Sequence, residues 1–238
     1  MQKLPDFSLE KKLWSKGYIV IGVDEVGRGA LAGPLYVGAV CFRHTILKRS
    51  YQDGIYPDKL SFNIENIGIN DSKKLTARKR EELATFIKKV TLAYSVSSVN
   101  VRTLNRLGIV KATEKAIRNV IFRVTNSIGH TTMHRSADNG IGKAYILLDA
   151  FYVKYIKGVG LKNQKAIIQG DEKSISIAAA SIIAKIERDH NMIKLHHKYP
   201  IYFWKNNKGY GTKEHIEAIK KFGKSKLHRD MFLRKILK

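Results

Sequence analysis

The amino-acid sequence predicts an α/β protein whose helices pack on one β-sheet. Short runs of β-branched, aromatic and aliphatic residues, such as 18–23 and 144–148, have the length of buried strands. They are interleaved with helical patterns, for example over 77–90 and 175–195, where apolar or small residues recur on one face. At 238 residues the chain is long enough to bury a full core.

The first two strands are expected to form a hairpin around a functional loop. Residues 18–23 end in the adjacent carboxylates Asp24 and Glu25, and a second strand-like run covers 35–42. The loop between them is rich in glycine, so its bare backbone N–H groups can come close to an anion.

This loop also fits the pattern of a dinucleotide-binding loop, through Gly27, Gly29 and Ala32. That fingerprint requires a helix directly after the glycines. Pro34 and the strand-like run 35–42 follow instead, so we reject dinucleotide binding.

The middle of the chain predicts helices around a third strand. Thr76 is a suitable N-cap for the helix over 77–90, and residues 92–96 alternate as a strand. Asn100 can cap the helical segment that follows, whose core stripe consists of Ile117, Val120, Ile121 and Val124.

Two polar stretches, 44–70 and 125–143, are predicted to be long surface loops because they contain turn-forming residues and little periodicity. The alanine-rich helix over 175–195 is expected to pack closely on the sheet. A glycine-containing loop over 208–212 precedes the last clear helical pattern.

The chain is strongly basic. Its 44 Lys and Arg residues outnumber 20 Asp and Glu residues, which gives a formal net charge of +24. This excess indicates a polyanionic partner, and nucleic acid is the first candidate because no lipid-anchoring signal accompanies the charge. A generally lysine-rich composition remains the alternative explanation.

Cysteine and histidine usage excludes several kinds of site. Cys41 is the only cysteine, so an intrachain disulfide and a thiolate zinc cluster are excluded, and the eight histidines show no H-E-x-x-H spacing. Residues 1–16 lack the apolar segment of a signal peptide, and no run approaches the roughly 18 apolar residues of a membrane span. We therefore expect a cytoplasmic protein with no membrane partner.

Three strand-like segments end in carboxylates, namely Asp24 with Glu25, then Asp149, then Asp171. Because strand ends of an α/β sheet share one edge, these acids are expected to meet there, where they would repel one another without a bound cation. Oxygen ligands suit Mg²⁺ or Mn²⁺, and two such ions about 3.5–4 Å apart can catalyse phosphodiester hydrolysis. An acidic site in a basic chain therefore predicts metal-dependent chemistry on nucleic acid.

Each acid taken singly has a structural alternative. Acidic residues often end strands, as Asp24 and Glu25 do. Asp149 could cap a turn with Phe151, and Asp171 could cap the helix over 175–195.

Short segments spread from residue 18 to about 232 carry a family resemblance through their order and combination. They are 22–29, 31–34, 71–75, 147–149, 170–171, 176–185, 188–189, 208–212 and 228–229. With these segments the chain resembles the type 2 ribonuclease H family, in particular its bacterial ribonuclease HII branch.

The resemblance implies a ribonuclease H-like fold, with a mixed β-sheet flanked by helices and a small C-terminal helical extension. It implies a catalytic domain over 1–195 and a basic, substrate-binding extension over 196–238 packed on it. The implied activity is endonucleolytic cleavage of RNA in RNA–DNA hybrids and at single ribonucleotides in duplex DNA, as in ribonucleotide excision repair. A monomer is expected.

The resemblance also implies roles for individual residues. The metal-binding catalytic acids would be Asp24, Glu25, Asp149 and Asp171. Gly27, Arg28 and Gly29 would read the ribose 2′-hydroxyl, and Tyr210 would stand at the RNA–DNA junction. Lys73 and Lys185 could hold phosphates, or could be ordinary solvated lysines.

Asp189 follows Lys185 by four residues on the same predicted helix, so an ion pair between them is favoured over metal binding. The sequence departs from the family where Ala150 replaces a common glycine and Gln169 a common lysine, and in the length of the two polar loops. None of these changes removes an expected ligand.

Three rivals remain. A non-catalytic nucleic-acid binder on this scaffold would gain nothing from carboxylates that face phosphate. Another two-metal nuclease of the same fold would lack the loops at 27–29 and 208–212. A type 3 ribonuclease H would typically carry an N-terminal DNA-binding domain, whereas about seventeen residues precede the first predicted strand here.

Overall fold

The computed structural model describes residues 4–43, 64, 67–132, 143–234 and 236–237. The helices and strands, in chain order, are α1 (Ser8–Trp14), β1 (Ile19–Val26), β2 (Leu35–Phe42), α2 (Ala77–Val90), β3 (Thr91–Val99), α3 (Val101–Leu107), α4 (Ile109–Thr132), β4 (Ala144–Asp149), β5 (Gln164–Ile167), α5 (Ile175–Lys198), α6 (Trp204–Asn207), α7 (Lys213–Phe222) and α8 (Asp230–Leu233).

Within the described residues, five strands form one mixed sheet in the order β3-β2-β1-β4-β5. β1 pairs antiparallel with β2, as the predicted hairpin requires, and β2 pairs antiparallel with β3. β1 pairs parallel with β4, and β4 pairs parallel with β5. The predicted mixed α/β sheet is confirmed, and β1 lies at its centre with parallel strands on one side only.

Helix α5 packs directly on the middle of the sheet, as its alanine content predicts. Ala178, Ala179 and Ala180 are completely buried. The backbone of α5 approaches β1 so closely that a Cβ added at Gly22 would lie 2.2 Å from the carbonyl carbon of Ser176. Small residues on both sides of this contact let the helix cross the strands at short range.

Helix α4 covers the opposite face of the sheet and continues further than the sequence indicates. Residues 125–143 were expected to form a loop, but α4 runs through 125–132, so that part of the prediction is wrong. Ile128 is buried at 2% exposure, four residues after the buried Val124, so it extends the apolar stripe of the helix by another turn. Residues 133–142 of this expected loop, and nearly all of the expected loop over 44–70, lie outside the described residues.

The predicted helix cap at Thr76 is confirmed, since its side chain accepts a hydrogen bond from the N–H of Lys79. Asn100 also caps a helix, through the N–H of Thr103, but that helix is the short α3, whereas the predicted core stripe lies in the separate helix α4. Helix α5 is capped by Ser174, so the alternative role of Asp171 as its cap is wrong.

The C-terminal elements pack against the hairpin loop and the end of α5. A buried cluster joins Leu31 and Met192 to Trp204, Ile219 and Leu233. Helix α5 runs continuously across residue 195, where the sequence suggested a division. Separate domains over 1–195 and 196–238 stay a prediction. Among the described residues, none of the helices combines the length and the hydropathy needed to span a bilayer.

Candidate active site

The carboxyl ends of the three parallel strands bring acidic residues to one edge of the sheet. Asp24 and Glu25 are close to the end of β1, and Asp149 is the last residue of β4. Asp171 lies in a short 3-10 turn after β5, and the N–H of Gly170 in that turn donates to Asp149 Oδ1 at 2.8 Å. We call Asp24, Glu25, Asp149 and Asp171 the carboxylate cluster.

Asp24 is the buried centre of the cluster, with 6% of its surface exposed. Burial, and next the charge of Glu25, raise its pKa well above the ordinary range. The Ser181 hydroxyl on α5 forms a hydrogen bond with Asp24 and lies 2.9 Å from the Ser72 hydroxyl. These serines connect the cluster to the segment that precedes α2.

The other acids are electrostatically coupled to Asp24 and to one another. Asp149 and Asp171 add to the repulsion that raises the Asp24 pKa. The pKa of Glu25 is raised mainly by burial, with a contribution from Asp149. Asp149 and Asp171 therefore lie close enough to Asp24 for their charges to interact, as expected for acids that share one edge of the sheet.

A fifth acid, Asp71, joins this edge, although sequence reasoning did not select it. It is 7% exposed and forms a hydrogen bond with Asp171, whose pKa is raised by burial first and by Asp71 second. Because Asp71 lies in a loop rather than at a strand end, the pattern that found the other acids misses it.

Lys73 provides a cation at the same edge. Its Nζ lies 3.6 Å from both Asp71 Oδ1 and Asp171 Oδ2, while 77% of its side chain is exposed. Its ammonium group can therefore compensate the negative charge of these buried acids, and its exposed side chain can still be reached by a ligand.

The donor set of the carboxylate cluster fits a hard divalent cation, because it consists of oxygen atoms whose mutual repulsion a cation would relieve. In the part of the chain that the structure describes, no three His, Cys, Asp or Glu side chains are arranged to hold an ion as they stand. Lys73 partly neutralises Asp171, and Arg28 partly neutralises Glu25. Ion binding therefore requires these side chains to adjust.

Arg28 of the glycine-rich loop is held between an acid and an aromatic ring. Its Nη1 lies 3.3 Å from Glu25 Oε1, and its guanidinium carbon lies 5.0 Å from the centre of the Phe151 ring. Phe151 reaches this position because Ala150 turns the chain with φ of 66°. The loop after β4 thus supports Arg28 through Phe151.

Two buried arginines, which sequence reasoning missed as functional residues, support the backbone of the glycine-rich loop. Arg229 Nη1 donates to the carbonyls of Gly27 at 2.6 Å and Arg28 at 3.0 Å. Arg188 Nε donates to the Pro34 carbonyl at 3.2 Å, and both arginines are fully buried. Gly27 has φ of +86°, and a Cβ there would lie 2.1 Å from Arg188 Nε, whereas a Cβ at Gly29 would enter open space.

Tyr210 lies beside this loop with 36% of its surface exposed. Its ring centre is 5.1 Å from the guanidinium carbon of Arg188 and 5.9 Å from Lys185 Nζ. Lys185 also forms the predicted ion pair with Asp189 at 2.8 Å. The structure thus brings Tyr210 and Lys185 together and fixes Lys185 by an internal partner.

The carbonyl of Gly209 ties the Tyr210 segment to the glycine-rich loop. It accepts hydrogen bonds from the N–H groups of Leu31 at 2.8 Å and Ala32 at 3.1 Å. On the other side of the same loop, the Arg229 N–H donates to the Leu31 carbonyl at 2.8 Å. The loop is therefore clamped between two C-terminal segments that are distant in sequence.

The chain is similar to one family of known proteins over most of its length. The family model described as Ribonuclease HII matches residues 21–235. Ribonuclease HII of Caldanaerobacter subterraneus subsp. tengcongensis is 42% identical over 230 residues, which cover 96% of this chain and 80% of the relative. Ribonuclease HII of Caldicellulosiruptor bescii is 39% identical over 233 residues, covering 97% and 95%.

A solved structure shares the fold. The ribonuclease HII in the PCNA:RNase HII complex from Archaeoglobus fulgidus superposes with a TM-score of 0.63 at 24% identity. The match covers 89% of this chain and 94% of that chain.

Proposed function

Because the chain belongs to the ribonuclease HII family, it is a ribonuclease H endonuclease that acts on RNA–DNA hybrids, and we propose that the carboxylate cluster is its catalytic site. The observation that carries this proposal is the convergence of four acids at one sheet edge of a chain with a net charge of +24. A surface that binds phosphate has no use for buried carboxylates unless cations join them there.

The carboxylate oxygens of the cluster would hold divalent ions, Mg²⁺ or Mn²⁺. When bound, two such ions would supply an activated water and stabilise the leaving oxygen of the phosphodiester. The chain's own contribution is to fix the acids. Asp149 is held by the Gly170 N–H, and Asp24 by the Ser181 hydroxyl.

The glycine-rich loop recognises the ribose. Gly29 leaves space above the backbone, and Arg229 fixes the Gly27 and Arg28 carbonyls from behind, so the loop offers a rigid polar backbone to a 2′-hydroxyl. Arg28 extends from this loop and is oriented by Glu25 and Phe151.

Tyr210 tests the neighbouring sugar. Its exposed ring is held against Arg188, and an aromatic face packs well on a deoxyribose that lacks the 2′-hydroxyl. Lys73 and Lys185 contribute positive charge for the phosphates on either side. With these contacts the enzyme cuts at single ribonucleotides embedded in duplex DNA as well as in longer hybrids.

The test of the catalytic site is the substitution Asp149→Asn. The amide oxygen can still accept the Gly170 N–H, so the turn is retained, but one ionised ligand is lost. We expect cleavage of a hybrid to fall by orders of magnitude while hybrid binding and melting temperature change little.

The matched control is Glu172→Gln, one residue after Asp171, where the carboxylate pairs with Lys74 at 2.7 Å. This control should retain the parental cleavage rate. Undiminished cleavage by Asp149→Asn would contradict the catalytic role of the carboxylate cluster. A large decrease in the melting temperature of this variant would show that Asp149 has a structural role.

A further inference from the structure

A buried polar cluster lies behind Tyr210 and has no role in the mechanism above. It consists of Trp204, His215 and His228, whose side chains are at most 1% exposed, and we call it the histidine cluster. Tyr202 stacks on Trp204 with ring centres 5.3 Å apart. Two histidines at such depth need a hydrogen-bond partner for each ring nitrogen.

The neighbours of His228 determine where its proton resides. Its Nδ1 lies 2.9 Å from the backbone nitrogen of Ser225, which can only donate. This nitrogen must therefore be an unprotonated acceptor, and the neutral ring carries its proton on Nε2.

The neighbours of His215 require the opposite tautomer. Its Nδ1 lies 2.8 Å from the carbonyl oxygen of Tyr210, which can only accept, so Nδ1 carries the proton. Its Nε2 is then an acceptor for Trp204 Nε1 at 3.0 Å and for His228 Nε2 at 3.2 Å. With this assignment each contact has a donor and an acceptor, and the single lone pair of His215 Nε2 is shared between Trp204 Nε1 and His228 Nε2.

The hydrogen bonds therefore run in one direction, from the Ser225 N–H through His228 and His215 to the Tyr210 carbonyl. The preceding carbonyl, that of Gly209, is already bound by the N–H groups of Leu31 and Ala32. The two peptide groups that flank the Tyr210 α-carbon are thus fixed from opposite sides, while its ring stays partly exposed.

We propose that His215 and His228 are positioning residues for substrate discrimination, because their relay fixes the backbone from which Tyr210 reads the RNA–DNA junction. The inference rests on the junction-reading role proposed for Tyr210. Burial lowers the pKa of both histidines, that of His228 to about 4, which keeps both rings neutral at physiological pH.

The relay itself can be observed without any substrate. Ring ¹⁵N NMR of the full-length protein at pH 7 should show a protonated Nδ1 on His215 and a protonated Nε2 on His228. The same tautomer on both rings, or a doubly protonated ring, would overturn the relay.

The functional test compares kcat/KM on a duplex with one ribonucleotide with kcat/KM on a uniform RNA–DNA hybrid, because this ratio is independent of the fraction of folded enzyme. His215→Leu removes one of two donors to the Tyr210 carbonyl, since the Thr212 N–H at 2.9 Å stays, and should lower the ratio about five- to tenfold, the effect of one lost hydrogen bond. His215→Asn places an amide N–H where Nδ1 was and should recover most of the parental ratio.

Two reference variants separate positioning from stability. Trp204→Phe removes a donor to His215 and some packing but leaves the relay to Tyr210, so it should lower the melting temperature and not the ratio. Tyr210→Ala should lower the ratio at least as much as His215→Leu.

An unchanged ratio in Tyr210→Ala would refute junction reading and the positioning role with it. A reduced ratio in Tyr210→Ala with an unchanged ratio in His215→Leu would refute the positioning role alone. An equal reduction in Trp204→Phe and His215→Leu would do the same, since general loosening of the core would then explain both.

Discussion

Asp24 and Glu25 are neighbours in sequence, yet their side chains contact different parts of the protein, because adjacent side chains of a strand point to opposite faces. Asp24 contacts Ser181 on α5, whereas Glu25 contacts Arg28 in the glycine-rich loop. The pair therefore links the proposed metal site to the proposed ribose-reading loop within two residues, which explains how chemistry and recognition can share one strand end.

Ala150, which follows Asp149 of the carboxylate cluster, has a strained backbone conformation. It is exposed and has φ of 66°, a left-handed conformation that costs an L-residue roughly 1–2 kcal/mol. Ala150→Gly should raise the free energy of unfolding by about 0.5–1 kcal/mol, because the strain removed exceeds the entropy that glycine adds.

Denaturant unfolding checks this prediction. Ala77→Gly in the exposed first turn of α2 is the matched control and should destabilise the protein, because no positive φ is relieved there. A destabilised Ala150→Gly variant would show that the methyl group contributes to packing.

At the scale of elements, local patterns predict most of what positions the carboxylate cluster. The strand ends at Asp24 and Asp149 and the caps Thr76 and Asn100 could be read from neighbouring residues, because strand burial and helix capping are local effects. The end of α4 could not, since the polar residues around Gly129 resemble a loop while the burial of Ile128 on the sheet overrides them.

The supports of the glycine-rich loop could not be predicted for a different reason. Arg229 and Gly27 are 202 residues apart. A single sequence contains no local pattern that shows which arginine or histidine will bind a distant backbone group. Asp71 was missed likewise, because its proximity to Asp171 depends on the packing of α2 and α5 rather than on a strand end.

The C-terminal helical segment should be sensitive to acid because of its two buried histidines. Their folded pKa values are lowered, so between pH 6.5 and about 4 the unfolded chain binds more protons than the folded one. The contribution of these histidines to the free energy of unfolding should therefore be complete above pH 6.5. The free energy of unfolding should decrease as the pH falls from 6.5 toward 4. Burial, and next the charge of His215, lower the pKa of His228, while Asp230 raises it and Lys224 lowers it further.

Denaturant unfolding at pH 7.5, 6 and 5 measures this dependence. His228→Gln should flatten the decrease, whereas His197→Gln at the exposed end of α5 should leave it as in the parent. An equal decrease in both variants would contradict the assignment to His228.

At the scale of the whole molecule, an acidic edge lies in a chain with a large positive excess. Positive charge lowers the electrostatic cost of bringing a polyanion to buried carboxylates, so we propose that the net charge of +24 promotes substrate binding. This division between a basic surface and an acidic centre makes binding and cleavage separable by experiment.

Binding should therefore depend strongly on salt. If about six phosphates are neutralised, log K should decrease against log salt with a slope of about −5. The Asp149→Asn variant, titrated with an RNA–DNA hybrid, keeps the substrate intact during the measurement. A slope near zero would show that the surface charge is merely solvated.

The most direct test of the proposed metal-dependent site is the chemistry of the ends produced from a DNA duplex that carries one ribonucleotide. With Mg²⁺ present, cleavage should occur on the 5′ side of the ribonucleotide and leave a 3′-hydroxyl and a 5′-phosphate, and EDTA should abolish it, because water and not the 2′-hydroxyl displaces the 3′-oxygen. Products ending in a 2′,3′-cyclic phosphate, or cleavage that persists in EDTA, would contradict a metal-dependent site at Asp24, Glu25, Asp149 and Asp171.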